Sequence, residues 1–206
     1  GFKLSPTGNA SITSAISGVA ITPILATTSS ANATIVGNLT VSITSDISAN
    51  VKINQKKVAY LNLSFMARGE VVNVTSINLT LRGNASFGNV SEIKLFNDDG
   101  SATGSLDATD TLINGTVTAP TSSNISFTPT NVIRLTPSTA TIIFVVLNVS
   151  DESDANSLVG IQINATNVAA TTNVTNQSLS TSWTAIATAN RTITSNIGQQ
   201  VVGAVT

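Results

Sequence analysis

Residues 61–83 read LNLSFMARGEVVNVTSINLTLRG. Leu61, Leu63, Phe65 and Ala67 alternate with Asn62, Ser64, Met66 and Arg68. That two-residue period belongs to a strand with one buried face. Gly69-Glu70 interrupts it, and Val72 and Val74 resume the alternation as a hairpin partner. Ile77, Leu79 and Leu81 then continue on the opposite parity, so a bulge or sharp bend is expected at Ser76-Ile77. Gly83 closes the segment.

The same reading extends in both directions. Leu39, Val41 and Ile43 alternate with Asn38, Thr40, Ser42 and Thr44. Ile93 and Leu95 form a short strand, Leu112, Ile113 and Val117 another, and Ile125 and Phe127 a third that ends at Pro129. Residues 142–147 read IIFVVL, apolar on both parities, which predicts a strand covered on both faces. Later strands are expected within 158–168, 179–187 and 191–205. Short strands separated by Ser, Thr, Gly and Asn turns indicate an all-β, antiparallel sandwich. No internal repeat and no 3.6-residue period is present.

Composition agrees. Of 206 residues, 41% are hydrophobic, enough for a core, while only 9% are charged. Ser, Thr and Asn supply the polarity, and these residues compete with the helical backbone. A surface of hydroxyls and amides does not titrate, which suits acidic surroundings. The formal net charge of −1 offers no basic stripe for nucleic acid. No apolar run is long enough to span a membrane. The chain opens at Gly1 without a charged and apolar leader, so the expectation is an exported protein whose signal peptide has been removed.

Catalysis finds no equipment. The chain has no His and no Cys, which removes imidazole bases, thiol nucleophiles and disulfides. Aromatic residues at 4% leave little with which to furnish a sugar cleft. The reading is therefore not an enzyme, and no cofactor is expected beyond covalent glycans.

Asn-x-Ser/Thr sequons are dense. They fall at Asn9, Asn32, Asn38, Asn62, Asn73, Asn78, Asn84, Asn89, Asn114, Asn124, Asn148, Asn164, Asn173, Asn176 and Asn190, fifteen in all. Chance would give about six at this Ser and Thr content. Positions i and i+2 share a strand face, so a polar face also generates Asn-x-Thr without selection for sugar. Asn38 and Asn78 fit that pattern, whereas Asn84, Asn114 and Asn176 read as loop sites.

Asn97-Asp98-Asp99-Gly100 with Asp107 and Asp110 forms an acidic loop. Asp98, Asp99, Asp107 and Asp110 could supply oxygen ligands to calcium. The spacing does not match the twelve-residue calcium loop and the final Glu is absent, so a solvated polar turn is the competing reading.

Residues 1–30 form an arm distinct from a body at 31–206. Within 10–25, Ile12 and Ile16 lie on one parity and Val19, Ile21 and Leu25 on the other, with Gly18 between them. This segment is a candidate extended donor strand on the soft joint 27–31. The two-faced run around Ile143, Val145 and Leu147 is the candidate wall of an acceptor groove.

The pattern from Leu61 to Gly83, continued by Ile93-x-Leu95-Phe96 and Asp98-Asp99-Gly100, resembles a hairpin module common in prokaryotic surface β-sandwiches. The whole chain, by its size, cysteine-free Ser/Thr/Asn-rich body, sequons and arm, resembles the subunits of archaeal threads, surface filaments of Sulfolobus-like thermoacidophiles. That resemblance implies an Ig-like or pilin-like sandwich with an extended N-terminal strand. It implies glycosylation and head-to-tail polymerisation in which each arm fills the next copy's groove, the partner being another copy of the chain. The alternatives are a glycosylated domain of an S-layer or other cell-surface protein, and a calcium-bound adhesive module.

Overall fold

The computed structural model describes residues 12–13, 20–21, 37–46, 49–118, 120–179, 181 and 183–195. The chain divides into two units, Gly1–Ile35 and Val36–Thr206. In the first, β1 (Ile12–Thr13) pairs antiparallel with β2 (Ala20–Ile21), Ile12 opposite Ile21 and Thr13 opposite Ala20. Of the candidate extended strand over 10–25, the described parts are 12–13 and 20–21, and these pair with each other. The parity switch supplies the reason. Ile12 is an even position and Ile21 an odd one, so one straight strand points them to opposite faces. This antiparallel register sets even positions opposite odd ones. Ile16, Val19 and Leu25 lie outside the described residues.

The second unit contains β3 (Asn38–Asp46), β4 (Val51–Lys52), β5 (Val58–Arg68), β6 (Val72–Arg82), β7 (Val90–Asn97), β8 (Thr111–Thr118) and β9 (Asn124–Phe127). It continues with β10 (Ile133–Leu135), β11 (Ala140–Val149), β12 (Leu158–Ile163), β13 (Val168–Thr172), β14 (Ile186–Ala187) and β15 (Arg191–Thr194). Two 3-10 turns, Phe87–Asn89 and Ala165–Asn167, are the helical elements among the described residues. None of these is long and apolar enough to cross a membrane.

The strands form an all-β sandwich of two sheets. One has the order β3-β5-β11-β7-β8. The other is built around β6. Along one edge of β6 run β13 and then β12; along the other run β10 and then β9. All described strand ladders are antiparallel except β4 with β15, where Ile193 lies beside Val51 in a parallel register; an isolated bridge between Ala67 and Pro137 is also parallel. Strands β4 and β15 lie far apart in sequence, so no hairpin turn dictates their direction.

The core is filled by alternate residues of both sheets. Leu61, Leu63, Phe65, Ile143, Val145 and Leu147 come from one; Val72, Val74, Ile77, Leu79, Phe127 and Ile161 come from the other. Each is worth roughly 1.5–3 kcal/mol on burial. The expected irregularity in 61–83 is present. The β6–β13 register slips between Ala169, opposite Ser76, and Ala170, opposite Val74. This slip lets Val72 and Val74 face the core together with Ile77 and Leu79 despite their opposite parity.

A second bulge falls where β5 meets β11. Val145 pairs with Leu61 and Val146 with Ala59, so Tyr60 is the extra residue. Its side chain is fully buried and its hydroxyl donates to the Val159 carbonyl of β12 in the opposite sheet. Burial pushes the phenol up to about 12, against smaller opposing effects of the Thr188 hydroxyl and Arg191.

Tyr60→Phe leaves the Val159 carbonyl without this donor and should cost about 1–3 kcal/mol in chemical denaturation. Tyr60 is the only tyrosine, so absorbance titration reads it alone. Its folded pKa is raised, so its contribution is complete below about pH 10 and is lost as pH rises towards 12. A transition near pH 10 with the fold intact would contradict this placement.

Candidate functional site

The feature with the geometry of a binding site is a cleft between the two sheets. Among the described residues β8 pairs only with β7, and β9 and β10 pair only with β6. The outer edge of β8 and the outer edge formed by β9 and β10 therefore lack strand partners. Two cavities of about 320 Å³ each lie along this side. The first is lined by Thr111–Ile113 of β8 and by residues 131–134 at β10. The second lies between Val117–Thr118, residues 120–122 of the connection that follows and residues 124–126 of β9, so the β8–β9 connection closes that end. Leu112 and Val132, exposed by 39% and 51%, stand together at the first. Asn97 Oδ1 on its lining is buried and accepts no hydrogen bond.

A bulge separates the two cavities. Leu95 pairs with Ile113 and Ile93 with Val117, so β8 spends four steps where β7 spends two. Asn114 sits in this irregularity. Expected in a loop, it belongs to β8 instead; Leu112, Ile113 and Val117 around it are long enough to pair with β7 on either side of the bulge.

The acceptor-groove expectation at Ile143, Val145 and Leu147 is corrected. All three are fully buried on β11, whose two edges are filled by β5 and β7. They form the floor of a closed core, and no further strand can pair beside them. The run is apolar on both parities because Phe144 and Val146 are buried on the outer face of the sheet. The acidic loop crosses that face. Asn62, the cross-strand partner of Phe144, donates from Nδ2 to the Gly104 carbonyl at 3.4 Å.

Within the loop each carboxylate accepts from the backbone. Asp98 takes Gly104 N–H at 2.8 Å and Asp99 takes Thr111 N–H at 2.8 Å. Asp107 takes Ala102 N–H at 2.9 Å and Thr109 N–H at 2.7 Å, together with the hydroxyls of Ser101 and Thr109. Asp110, buried, takes Gly100 and Asp107 N–H at 3.1 and 2.7 Å. Gly100 has no room for a Cβ, which would lie 2.6 Å from Asp107 Oδ1. The Thr109 hydroxyl and N–H, helped by Ala102 and Ser101, hold the Asp107 carboxyl well below the usual range. Burial alone would raise Asp99, but the N–H and hydroxyl of Thr111 outweigh it and its pKa is lowered.

Among the described residues no three acidic side chains are grouped to hold a metal ion. Counting from Asp99 rather than Asp98 nevertheless recovers an order that the sequence reading missed. Asp99, Ser101 and Thr103 take positions 1, 3 and 5 of a twelve-residue calcium loop, Gly104 takes 6, Asp107 takes 9 and Asp110 takes 12. Gly104 has φ 80°, which suits the sharp turn required there.

The sequons separate by environment. Asn38, Asn84, Asn124, Asn173, Asn176 and Asn190 are exposed. Asn84 Oδ1 accepts from Leu158 N–H at 2.7 Å, which fixes the side chain. Asn176 stands on an exposed turn with φ 50°. Asn62, Asn73, Asn78, Asn148 and Asn164 are half-buried. Asn148 is committed twice, donating to Glu92 Oε2 and accepting from Lys57 N–H at 2.7 Å. Asn89 is 2% exposed and its Nδ2 is enclosed, so the folded protein cannot present it to a transferase. Asn9 and Asn32 lie outside the described residues, and for Asn114 only the backbone is described.

No family model matches this chain, and no curated protein matches it. Solved structures similar at a low level include the following two. One is AvmM, which catalyses macrocyclisation in alchivemycin A biosynthesis, with TM-score 0.39 and 10% identity over 79% of this chain and 92% of that one. The other is a family 123 glycoside hydrolase from Clostridium perfringens, with TM-score 0.33 and 8% identity over 76% of this chain and 27% of that one.

The loop yields a pH prediction. The folded pKa values of Asp99 and Asp107 are lowered, so their contribution is complete above about pH 4 and is lost only as pH falls through the folded values. Hydrogen exchange should find Ala102 and Thr109 N–H still protected at about pH 3. Asp107→Ala should remove that protection at every pH and lower the melting temperature.

Proposed function

We propose that this protein is the structural subunit of an extracellular, N-glycosylated filament, in which the N-terminal segment of one copy adds as a strand to the next. The observation that supports this most directly is the cleft between β8 and β9–β10. Among the described residues two strand edges there lack strand partners, and apolar side chains line the gap. A strand entering such a cleft would satisfy backbone N–H and C=O groups and bury alternate side chains. Repeated head to tail, that contact is heterologous and generates an open polymer. A surface-layer domain without strand exchange is the competing reading, and it assigns no role to the cleft.

Deleting residues 1–26 should abolish filaments in negative-stain images while leaving a folded body. A synthetic peptide spanning residues 10–25 should stabilise that body against heat. Peptide mass spectrometry of the native material should place sugar on several of Asn38, Asn84, Asn124, Asn173, Asn176 and Asn190 and none on Asn89. Filaments from the truncated chain would sink the strand-addition mechanism and bring the surface-domain reading forward.

A second reading concerns the loop over β11. The twelve-position order from Asp99 to Asp110, with Gly104 at φ 80°, favours calcium as an added staple. Calcium should then raise the melting temperature and chelator reverse it, with Asp110→Asn insensitive to both. Equal melts in calcium and chelator would leave the carboxylate-to-N–H bonds as the loop's whole closure.

A further inference from the structure

We propose that sugar reaches Asn84 and Asn173 only before the chain folds, and that folding seals both sequons while leaving their glycans in solvent. This rests on the glycosylation part of the reading above and concerns the order of two events, transfer and folding.

The chemistry names the atoms that must be reachable. Asn Nδ2 bonds to the anomeric carbon of an activated donor, a lipid-linked glycosyl phosphate or diphosphate. The bond from that carbon to the phosphate oxygen breaks, the phosphate leaves with the electron pair, and Nδ2 gives up one proton. The sequon also demands Ser or Thr two positions after Asn, so a transferase must touch that hydroxyl. A folded sequon is therefore open only when Nδ2 and the hydroxyl are both unengaged.

Asn84 and Asn173 meet half of that condition. Both are exposed, and in both the bonded atom is Oδ1. It accepts from Leu158 N–H in Asn84 and from Asn73 Nδ2, at 3.2 Å, in Asn173. Glycosylation leaves Oδ1 an acceptor, so either residue can carry sugar in the folded protein. The hydroxyls are not open. Ser86 Oγ donates to Asn89 Oδ1 at 3.0 Å. Thr175 Oγ1 donates to Glu70 Oε1 at 3.1 Å and shares a bond with the Thr172 hydroxyl. The backbone is held as well: Ala85 N–H donates to the Leu158 carbonyl and Asn173 N–H to the Val71 carbonyl, each at 2.9 Å. Presenting either sequon to an enzyme breaks several of these bonds together.

Asn89 ties the first seal to folding itself. It is 2% exposed, and its carbonyl accepts from Ser150 N–H and the Ser153 hydroxyl. Its Oδ1 is the acceptor that engages Ser86. Burying Asn89 and closing the Asn84 sequon are thus one event. Asn124 and Asn176 differ. Each is exposed and is followed by an exposed Ser, Ser126 or Ser178, and among the described residues no hydrogen bond engages either hydroxyl. These two sequons can still receive sugar on the folded chain.

The test compares the same sequons with and without the fold. The full chain is made free of sugar, folded, and incubated with an oligosaccharyltransferase and its lipid-linked donor. Synthetic peptides spanning residues 80–91 and 169–179 are treated alongside, and occupancy is read by peptide mass spectrometry. Asn84 and Asn173 are expected to be modified in the folded chain at about a tenth of the peptide rate or less. Asn124 and Asn176 are expected to be modified in the folded chain, and native material is expected to carry sugar at all four. Equal rates in peptide and folded chain at Asn84 and Asn173 overturn the seal. A folded chain that stays bare at Asn124 and Asn176 overturns the hydroxyl criterion. Native protein bare at Asn84 and Asn173 but modified at Asn124 and Asn176 overturns transfer before folding and leaves glycosylation standing. Native protein without sugar anywhere overturns the parent reading as well.

Discussion

Every strand of the second sheet depends directly or indirectly on the backbone of β6. Its eleven residues hydrogen-bond four strands, β13 and β12 on one edge and β10 and β9 on the other. Each partner is too short to hold a place in a sheet by itself. A single straight strand with the parity of 72–82 could not do this. Val72 and Val74 would face the core while Ile77 and Leu79 faced solvent. The slip between Val74 and Ser76 removes that conflict and bends the sheet, which brings two shorter strands to each edge. Tyr60 does the corresponding work from the other sheet. The bulge that turns its ring inward also brings a hydroxyl to β12, tying the sheets together in a chain that has no disulfide.

Polarity without charge is the second constraint. Two ion pairs, Lys94–Glu92 and Arg191–Asp46, are found among the described residues. Exposed pairs of this kind contribute little. Surface order comes instead from hydroxyls and amides bonded to backbone, such as Thr75 to the Ala169 carbonyl or Thr194 to the Val51 carbonyl. These bonds do not titrate. Asp99 and Asp107 do titrate, but each accepts several donors, and their lowered pKa values carry the loop further into acid than an isolated carboxylate would allow.

Strand content was legible wherever one face is buried. The alternation in 39–43, 61–67, 72–81 and 93–95 named the inward residues, and the parity break announced its bulge. What alternation cannot show is which edge faces which. IIFVVL was correctly read as covered on both faces, but the cover is the acidic loop, so its apolar outer face pointed away from the open cleft. The cleft is formed by β8, β9 and β10, short strands whose patterns are ordinary. Segment 158–168 was expected as one strand and is divided between β12 and β13 by the 3-10 turn Ala165–Asn167. Within 179–187 the described ladder is limited to Ile186–Ala187; Leu179 N–H donates to the Ala170 carbonyl of β13, and its side chain, like that of Trp183, packs against the core. The sequons could be found by inspection, but their environments could not: Asn89 and Asn84 have similar local sequence and opposite exposure.

An unpaired edge is the property that a monomeric β protein ordinarily suppresses with Lys, Pro or inward charge. Strand β8 carries none of these across TLINGTVT. Its one irregularity is the bulge containing Asn114, which interrupts the edge and divides the cleft in two. A bulge hinders indiscriminate pairing by flat strands, yet it leaves short stretches of edge on either side for a partner whose own course breaks at the corresponding place. The arm has such a break at Gly18, between its two parity sets. Selectivity would then come from matched irregularities rather than from charge, which is in short supply here.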